Sequence, residues 1–271
     1  MSEGYKIPFK FFPSQRLWPG NPKVSGPAFE LLAQEAADLL AKESVAPVAP
    51  VKGQFVSSYF AVAKARSPGK FRPILNLKKF NKTMKKFWME GLKQVCDWVQ
   101  KDAWFCSMDL KDAFLHIPIH ETFRKFLRFQ WLESLLEWQV LPFGLKCSPR
   151  VLTKVLKPVV AFLRVTWGVL IAIYMDDILI QGSSPNQVYL HAQVAALLFM
   201  VLGWSLNWKK SDFIPTQRTT HLGFVVDSVA MTVSCLVDKV ARLQSSCRNL
   251  MVVKVVSVHD AERILGTMES V

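Results

Sequence analysis

The chain has 271 residues, of which 51% are hydrophobic, and its 34 Lys and Arg outnumber its 21 Asp and Glu to give a formal net charge of +13. A chain of this length and apolar content buries a sizeable core, which excludes an intrinsically disordered protein. The charge favours a polyanionic partner, with nucleic acid ahead of an anionic membrane surface, although a basic structural protein without a chemical site has the same composition.

The cysteines and the apolar runs limit the compartment. Five cysteines, at positions 96, 106, 147, 235 and 247, form no CxxC pair and are odd in number, which argues against a disulfide framework and against structural zinc. The first ten residues contain no long apolar stretch typical of a secretory signal. The apolar run 165–175 is shorter than the roughly 20 residues that a membrane span needs. We therefore expect a cytoplasmic or nuclear protein that is not secreted and has no membrane partner.

The N-terminal part predicts an arm, a helix and a hairpin. Residues 1–27 are rich in proline and predict an irregular arm, and apolar residues at helical spacing predict a helix over 28–44. The extended runs 57–63 and 71–77 predict a β-hairpin with basic residues around its tip. The run 78–86 then carries five lysines in nine positions. A solvated face is the commoner fate of such a run, but in a chain of this charge we favour contact with backbone phosphates.

The rest of the chain predicts alternating strands and helices. We expect a strand over 104–110, a hairpin from 123–131 and 137–141, and a helix over 148–165 with Pro149 in its first turn. A further hairpin, with an acidic turn, is expected from the apolar runs 169–175 and 178–181. The remaining expected elements are a helix over 188–204, a short strand pair within 220–227, and helices over 236–251 and 258–268.

Carboxylates at the ends of apolar strands are the most informative residues. Asp109 ends one predicted strand, and Asp176 and Asp177 form the turn of the hairpin predicted over 169–181. Carboxylates are costly beside buried strands unless they bind metal or are paired. Such a group of hard oxygen ligands suits Mg²⁺, and two ions stabilise both the attacking and the leaving oxygen of an in-line displacement. For the Asp-Asp dipeptide alone, an ordinary hairpin turn is the commoner explanation.

Five segments in order resemble the motifs of reverse transcriptases. They are the fingers motif (GKFRPILNL, 69–77), the first palm motif (SMDLKDAF, 107–114), the second palm motif (LPFGLKCSPR, 141–150), the YxDD box (YMDD, 174–177) and the primer grip (HLGF, 221–224). YxDD alone is a weak signal, whereas the ordered set over residues 60–228 is highly specific. The stretches HIPIHETFRKFLRF and LGFVVDSVAMTV resemble LTR-type retrotransposons, and DIRS-like elements in particular.

The resemblance implies an α+β right-hand polymerase whose palm has an antiparallel sheet that carries the aspartates. The fingers would comprise residues 1–95 and 118–148, the palm 96–117 and 149–228, and a partial helical thumb 229–271. No acidic set for RNase H follows the primer grip, so we expect no RNase H domain and a chain truncated before it. Further polyprotein domains, such as RNase H, would be partners.

The implied activity is that of an RNA-directed DNA polymerase, a nucleotidyltransferase that extends a primer with dNTPs on an RNA or DNA template. Asp109, Asp176 and Asp177 would be the catalytic residues. Together with the backbone carbonyl of Leu110, they would hold two Mg²⁺ ions, for which Mn²⁺ is an alternative.

Other residues would contact the nucleotide and the primer. Lys70 and Arg72 would grip the triphosphate, helped by Lys64, and Phe114 would be the steric gate that excludes a 2′-OH. Lys210 matches a lysine near the pyrophosphate that acts as a general acid, although an ordinary surface lysine is nearly as good an explanation. Asp112 and Ala113 would contact the incoming nucleotide through their backbone amides. The remaining residues would be Phe143 and Gly144 for the nucleotide, and Tyr174, Met175, Leu222 and Gly223 for the primer.

Three other functions compete with this one. An RNA-dependent RNA polymerase shares the aspartates, but Phe114 and Tyr174 argue against it. A catalytically silent, retrotransposon-derived remnant that binds nucleic acid is favoured by the truncated thumb, whereas the intact aspartates, Lys70 and Arg72 argue against it. The ordered motifs argue against a basic structural protein without a site.

Overall fold

The computed structural model describes residues 3–64, 67, 69–85, 97–252, 257–258, 261–262 and 265–266. The chain divides into two compact units, which we call unit 1 (Met1–Met89 and Lys111–Pro158) and unit 2 (Glu90–Leu110 and Val159–Val271). One of the three boundaries between these segments falls after Pro158, inside a long helix. The assignment of fingers, palm and thumb to residue ranges stays a prediction.

Unit 1 is built from short strands and helices. Its four-stranded sheet has the order β1-β7-β6-β2, in which only β2 and β6 run parallel, and β3 and β4 form a separate antiparallel hairpin. The elements are α1 (Pro27–Ala41), β1 (Val45–Pro47), β2 (Val56–Ser57), β3 (Tyr59–Ala63), β4 (Phe71–Leu75), α2 (Lys78–Asn81), a 3-10 helix (Ala113–His116), α3 (Glu121–Arg124), β6 (Arg128–Trp131), β7 (Ser134–Trp138) and the first part of α4 (Ser148–Trp167).

Aromatic and aliphatic side chains form the core of unit 1. Phe80 and Phe129 are fully buried, and α1 contributes Leu32, which is also fully buried, from the apolar side of the helix. Phe9 of the N-terminal arm packs edge-on against Phe80, with ring centroids 5.9 Å apart. The N-terminal arm is therefore anchored to the core of unit 1 through an aromatic contact.

Unit 2 contains the sheet that carries the predicted aspartates. Its four strands have the order β10-β5-β9-β8 and are all antiparallel, and a three-stranded sheet has the order β11-β12-β13. Helix α5 packs against β5, β9 and β10. The elements are β5 (Trp104–Asp109), the second part of α4, β8 (Leu170–Tyr174), β9 (Asp177–Gly182), α5 (Pro185–Val201), β10 (Asp212–Thr216), β11 (Arg218–His221), β12 (Phe224–Asp227), β13 (Thr232–Cys235) and α6 (Val237–Val252).

Most predicted elements are confirmed, with shifted ends. The hairpin tip at residues 65–66 and 68 lies outside the described residues, as does most of the predicted helix 258–268. The predicted run 57–63 is wrong as a single strand, because it breaks at Ser58 into β2 and β3, which belong to different sheets. The strand predicted over 123–131 is also wrong at its start, because His120 Nδ1 accepts the backbone N–H of Thr122 and caps α3. Within the described residues, no helix has both the length and the apolarity needed to cross a membrane.

A buried histidine makes the stability of unit 2 dependent on pH. His221 is 5% exposed, and burial lowers its pKa to about 4. The folded state therefore favours neutral His221, whereas the unfolded chain binds a proton below its ordinary pKa of about 6.5. We expect the titration of His221 to leave the free energy of unfolding unchanged above pH 6.5. As the pH falls from 6.5 to 4, it should lower that free energy by about 3 kcal/mol.

Urea unfolding at several pH values measures this effect. The comparison is between the wild type and His221→Gln, which stays neutral at every pH. We expect the free energy of unfolding to fall less steeply between pH 6.5 and pH 4 in His221→Gln. Identical slopes would show that His221 does not contribute to the acid sensitivity.

Candidate active site

The hairpin of β8 and β9 fixes two of the predicted aspartates. Tyr174, the last residue of β8, pairs with Asp177, the first residue of β9. The two residues between them are Met175, which has a left-handed backbone with φ of 58°, and Asp176. Both arms of the hairpin are apolar and β9 is largely buried, whereas the acidic turn lies at the end of the two strands, as the sequence predicts.

Strand β5 brings the third aspartate to the same place. β5 pairs with β9 in antiparallel register, and Asp109 lies directly opposite Asp177. The backbone N–H of Leu110 donates to the carbonyl oxygen of Asp176 at 3.0 Å. All three aspartates and Leu110 therefore lie together at one end of the β5–β9 pair in unit 2.

A turn at residues 207–211 holds the end of β5 by backbone contacts. The carbonyl oxygen of Asp109 accepts the backbone N–H of Asn207 at 2.8 Å, and the N–H of Asp109 donates to Ser211 Oγ at 3.1 Å. Ser211 Oγ in turn donates to the carbonyl oxygen of Asn207 at 2.9 Å. Sequence reasoning missed Asn207 and Ser211, although both belong to the segment that drew attention to Lys210.

Lys210 is the cation of this group. Its Nζ lies 3.5 Å from Asp109 Oδ2, and its side chain is 65% exposed whereas that of Asp109 is 10% exposed. A long ion pair with one solvated partner contributes little stability. The structure thus brings Lys210 to the predicted aspartates and leaves its ammonium group accessible to a ligand.

Lys210 balances only part of the negative charge of the aspartates. Burial, the largest cause, raises the pKa of Asp176 and of Asp177 above the ordinary value for aspartate. The negative charge of Asp109 raises both pKa values further, Asp176 also raises that of Asp177, and Lys210 opposes these effects. Raised carboxylate pKa values in a group of this kind indicate an unmet demand for positive charge.

The donor set fits a hard divalent cation. It consists of carboxylate oxygens on neighbouring strands together with backbone carbonyl groups, and such oxygen ligands suit Mg²⁺. Among the described residues, no three His, Cys, Asp or Glu side chains are grouped closely enough to enclose a metal ion by themselves. Mg²⁺ is usually held by one or two carboxylates together with waters and substrate phosphates, so an incomplete protein cage is compatible with it.

The predicted triphosphate grip lies on the β3–β4 hairpin of unit 1. Arg72 pairs with Val62 across the hairpin, and its side chain is exposed. The backbone N–H of Lys64 donates to the carbonyl oxygen of Lys70 at 2.8 Å, so these two exposed lysines face each other at the end of the paired region. The three basic residues are therefore brought together on one hairpin.

The other predicted nucleotide-binding residues are also in unit 1. Phe114 lies in the 3-10 helix beside buried Ala113, and its ring meets that of Phe143 edge-on with centroids 5.5 Å apart. Asp112 precedes this helix with a left-handed backbone. The carbonyl oxygen of Gly144 accepts Asn81 Nδ2 at 2.9 Å, which fixes the backbone next to Phe143.

The predicted primer grip forms the turn of the β11–β12 hairpin in unit 2. His221 pairs with Phe224, and Leu222 and Gly223 between them have φ of 51° and 78°. This hairpin belongs to a different sheet from Tyr174 and Met175. Hence the predicted primer-binding residues occupy two separate turns of the unit.

Comparison with protein families accounts for this set of motifs. A family model described as reverse transcriptase (RNA-dependent DNA polymerase) matches residues 62–226. The chain belongs to the reverse transcriptase family. The match extends from the β3–β4 hairpin through the aspartates to β12, so it covers all five motif segments on which the resemblance rests.

Viral polyproteins are among the relatives of this reverse transcriptase chain. The Gag-Pol polyprotein of bovine immunodeficiency virus (strain R29) is 26% identical over 213 residues, which are 72% of this chain and 14% of the relative. The enzymatic polyprotein of figwort mosaic virus (strain DxS) is 23% identical over 184 residues, 66% of this chain and 27% of the relative. The chain thus spans less than a third of the length of these relatives.

Solved reverse transcriptase structures have the same fold. The foamy viral protease-reverse transcriptase dRH in complex with double-stranded DNA matches 98% of this chain with a TM-score of 0.70, at 22% identity and over 43% of its own length. The foamy viral protease-reverse transcriptase in complex with RNA/DNA hybrid matches 97% of this chain with a TM-score of 0.67, at 20% identity and over 32% of its own length. The predicted α+β polymerase fold is confirmed.

Proposed function

We propose that this chain is an RNA-directed DNA polymerase that extends a primer with dNTPs. The observation that carries the proposal is the placement of Asp109 opposite Asp177, with the carbonyl of Asp176 bonded to Leu110. This arrangement puts three carboxylates of a reverse transcriptase sequence at one edge of a sheet, with a lysine as their counter-ion.

Asp109, Asp176 and Asp177, with the carbonyl of Leu110, would hold two Mg²⁺ ions. When bound, such ions activate the attacking 3′-oxygen and neutralise the leaving pyrophosphate. The protein's own part is to hold the carboxylates in place. Asn207 and Ser211 hold the backbone of Asp109, and exposed Lys210 can donate a proton to the leaving group.

The nucleotide would be held by residues of unit 1. Lys70 and Arg72, aided by Lys64, offer an exposed cationic pair and a guanidinium fork for a triphosphate. Phe114, stacked edge-on against Phe143, is the candidate steric gate under the sugar. Gly144 would lie against the nucleotide, and Tyr174, Met175, Leu222 and Gly223 would contact the primer.

A lysine-lined cavity supports a nucleic-acid template as partner. The cavity has a volume of about 860 Å³ and lies in unit 1 at the run that the sequence assigned to phosphate contact. Within the described part of the chain, its lysines form no ion pair with an acid; they are Lys10, Lys78, Lys82, Lys85 and Lys146. Clustered unpaired ammonium groups repel one another, and a phosphate backbone relieves that repulsion.

The finer assignment is a DIRS-like LTR-type retrotransposon origin. Its support is the pair of sequence stretches at residues 116–129 and 222–233. The polyprotein relatives support further polyprotein domains, such as RNase H, as partners. A cytoplasmic or nuclear location rests on the cysteine pattern and stays a prediction.

Primer extension tests the proposal. Purified chain is incubated with an RNA template, an annealed DNA primer, Mg²⁺ and dNTPs, and Asp176→Asn serves as the matched variant. We expect extension by the wild type and none by Asp176→Asn, because the variant loses a charged ligand. If the wild type binds the hybrid in a salt-sensitive manner but extends nothing, the silent remnant replaces the polymerase as the better account.

Replacing the candidate steric gate should change sugar selection. In Phe114→Val the ring that meets Phe143 is lost, and space opens for a 2′-OH. We expect the ratio of dNTP to rNTP incorporation efficiency to fall by at least about 100-fold, since a shape-based exclusion is removed. Phe162→Val, at a 48% exposed position of α4, is the control. An unchanged ratio of dNTP to rNTP incorporation in Phe114→Val would show that Phe114 is not the steric gate.

A further inference from the structure

An ion pair in unit 1 ties α1 to the turn before the 3-10 helix. Lys42 Nζ lies 2.9 Å from Asp112 Oδ2, although the two residues are 70 positions apart in the sequence. Neither motif matching nor local spacing singled out Lys42. The contact matters because Asp112 begins the segment that carries Ala113 and Phe114.

Asp112 has an uncommon backbone conformation. Its φ of 52° and ψ of 33° lie in the left-handed region, which few non-glycine residues adopt, although aspartate does so more readily than most. Its carbonyl oxygen accepts the N–H of Leu115 at 2.8 Å, and that of Phe114 accepts the N–H of Ile117 at 3.1 Å. The conformation of Asp112 therefore sets the direction of the Ala113 amide and the start of the helix that bears Phe114.

Lys42 is a firm anchor for this turn. It caps α1, and its backbone N–H donates to the carbonyl oxygen of Asp38 at 3.0 Å. The preceding turn of α1 is pinned by Leu39, which is 4% exposed. The two side chains of the ion pair are 48% and 33% exposed, so the pair contributes little to global stability. Its effect is local to the turn.

We propose that Lys42 is a positioning residue for the incoming nucleotide, which neutralises the Asp112 carboxylate and holds the left-handed turn that presents the Asp112 and Ala113 amides. This inference rests on the proposed polymerase function. An uncompensated carboxylate beside a triphosphate would repel it, and a relaxed turn would misdirect the amides. Lys42 removes both obstacles without touching the nucleotide.

Steady-state single-nucleotide incorporation tests the role of Lys42. We expect Lys42→Met to raise the KM for dNTP about tenfold, the size expected for one charged hydrogen bond, with kcat almost unchanged. Lys42→Arg, which retains the charge, should restore most of the affinity. Lys6→Met is the matched control, because Lys6 forms an exposed ion pair with Glu3 at 3.4 Å in the same unit. An equal KM in Lys42→Met and Lys6→Met would overturn the inference.

A double variant separates charge repulsion from a general structural effect. Adding Asp112→Asn to Lys42→Met removes the unpaired carboxylate, and asparagine tolerates the left-handed backbone. We expect the KM of the double variant to fall back towards the wild-type value. A KM that stays as high as in Lys42→Met would contradict the electrostatic role.

Hydrogen exchange tests whether the Lys42–Asp112 ion pair holds the turn, without relying on activity. The N–H of Leu115 is bonded to Asp112, so we expect it to exchange faster in Lys42→Met than in Lys6→Met. If the wild-type chain does not extend a primer, the polymerase proposal fails. The exchange result still shows whether the ion pair of Lys42 holds the turn at Asp112. Equal exchange of Leu115 in the two variants would overturn that role.

Discussion

Asp109→Asn should abolish primer extension, with a loss of about 10³-fold or more, as expected when a group that stabilises developing charge is removed. Asp109 is 7% exposed and lies opposite Asp177, and its substitution leaves the backbone hydrogen bonds to Asn207 and Ser211 available. The fold should therefore survive while the site loses one negative charge. Incorporation rates with saturating dNTP measure the effect.

Asp102→Asn is the matched control for this variant. The change is chemically the same, but Asp102 is exposed at the opposite end of the β5 segment and has φ of 60°, which asparagine tolerates. We expect full activity in Asp102→Asn and equal thermal unfolding midpoints in both variants. Activity in Asp109→Asn within tenfold of the control would exclude Asp109 as a metal ligand.

The second large effect concerns the stability of unit 1. Arg128 of β6 and Glu137 of β7 are paired across the sheet, and they are 5% and 9% exposed. Arg128 Nε and Nη2 donate to Glu137 Oε2 at 2.7 and 2.5 Å, and Arg128 Nη1 also donates to Gln54. We expect Arg128→Met to destabilise the unit by about 3–5 kcal/mol, because it leaves the Glu137 carboxylate buried without its partner.

Urea unfolding measures this loss, and a double variant gives the control. Arg128→Met combined with Glu137→Leu removes both charges, so we expect it to recover at least half of the lost stability. A loss of less than about 1 kcal/mol in Arg128→Met would show that the pair behaves like an exposed one.

The acidic hairpin could be predicted because its information is local. Two apolar runs flank Asp176 and Asp177, and such runs with polar residues between them fold back on each other. The register of β5 against β9 is not local information. Because Asp109 also ends an apolar run, however, its position at a strand end was enough to predict that it lies near Asp176 and Asp177. The family motifs then supplied the roles.

The strands and ion pairs that the sequence did not predict depend on contacts between residues far apart in the chain or on strands that contain proline. Strand β10 contains Pro215, which weakens any strand pattern, and β1 is three residues long and ends at Pro47. The Arg128–Glu137 pair exists only because of the β6–β7 register, and Lys42 meets Asp112 only after α1 is packed. In such cases the sequence contains the residues but not the geometry that brings them together.

The most direct measurement of the central claim is the addition of one dNTP to a DNA primer on an RNA template by the wild type and Asp177→Asn, with Mg²⁺ and after its chelation. We predict addition by the wild type with Mg²⁺ alone, none after chelation and none by Asp177→Asn, since the proposal has the carboxylates at the β5–β9 end act through a divalent cation. Addition that survives chelation, or that Asp177→Asn retains, would contradict the assignment of these aspartates as the catalytic centre.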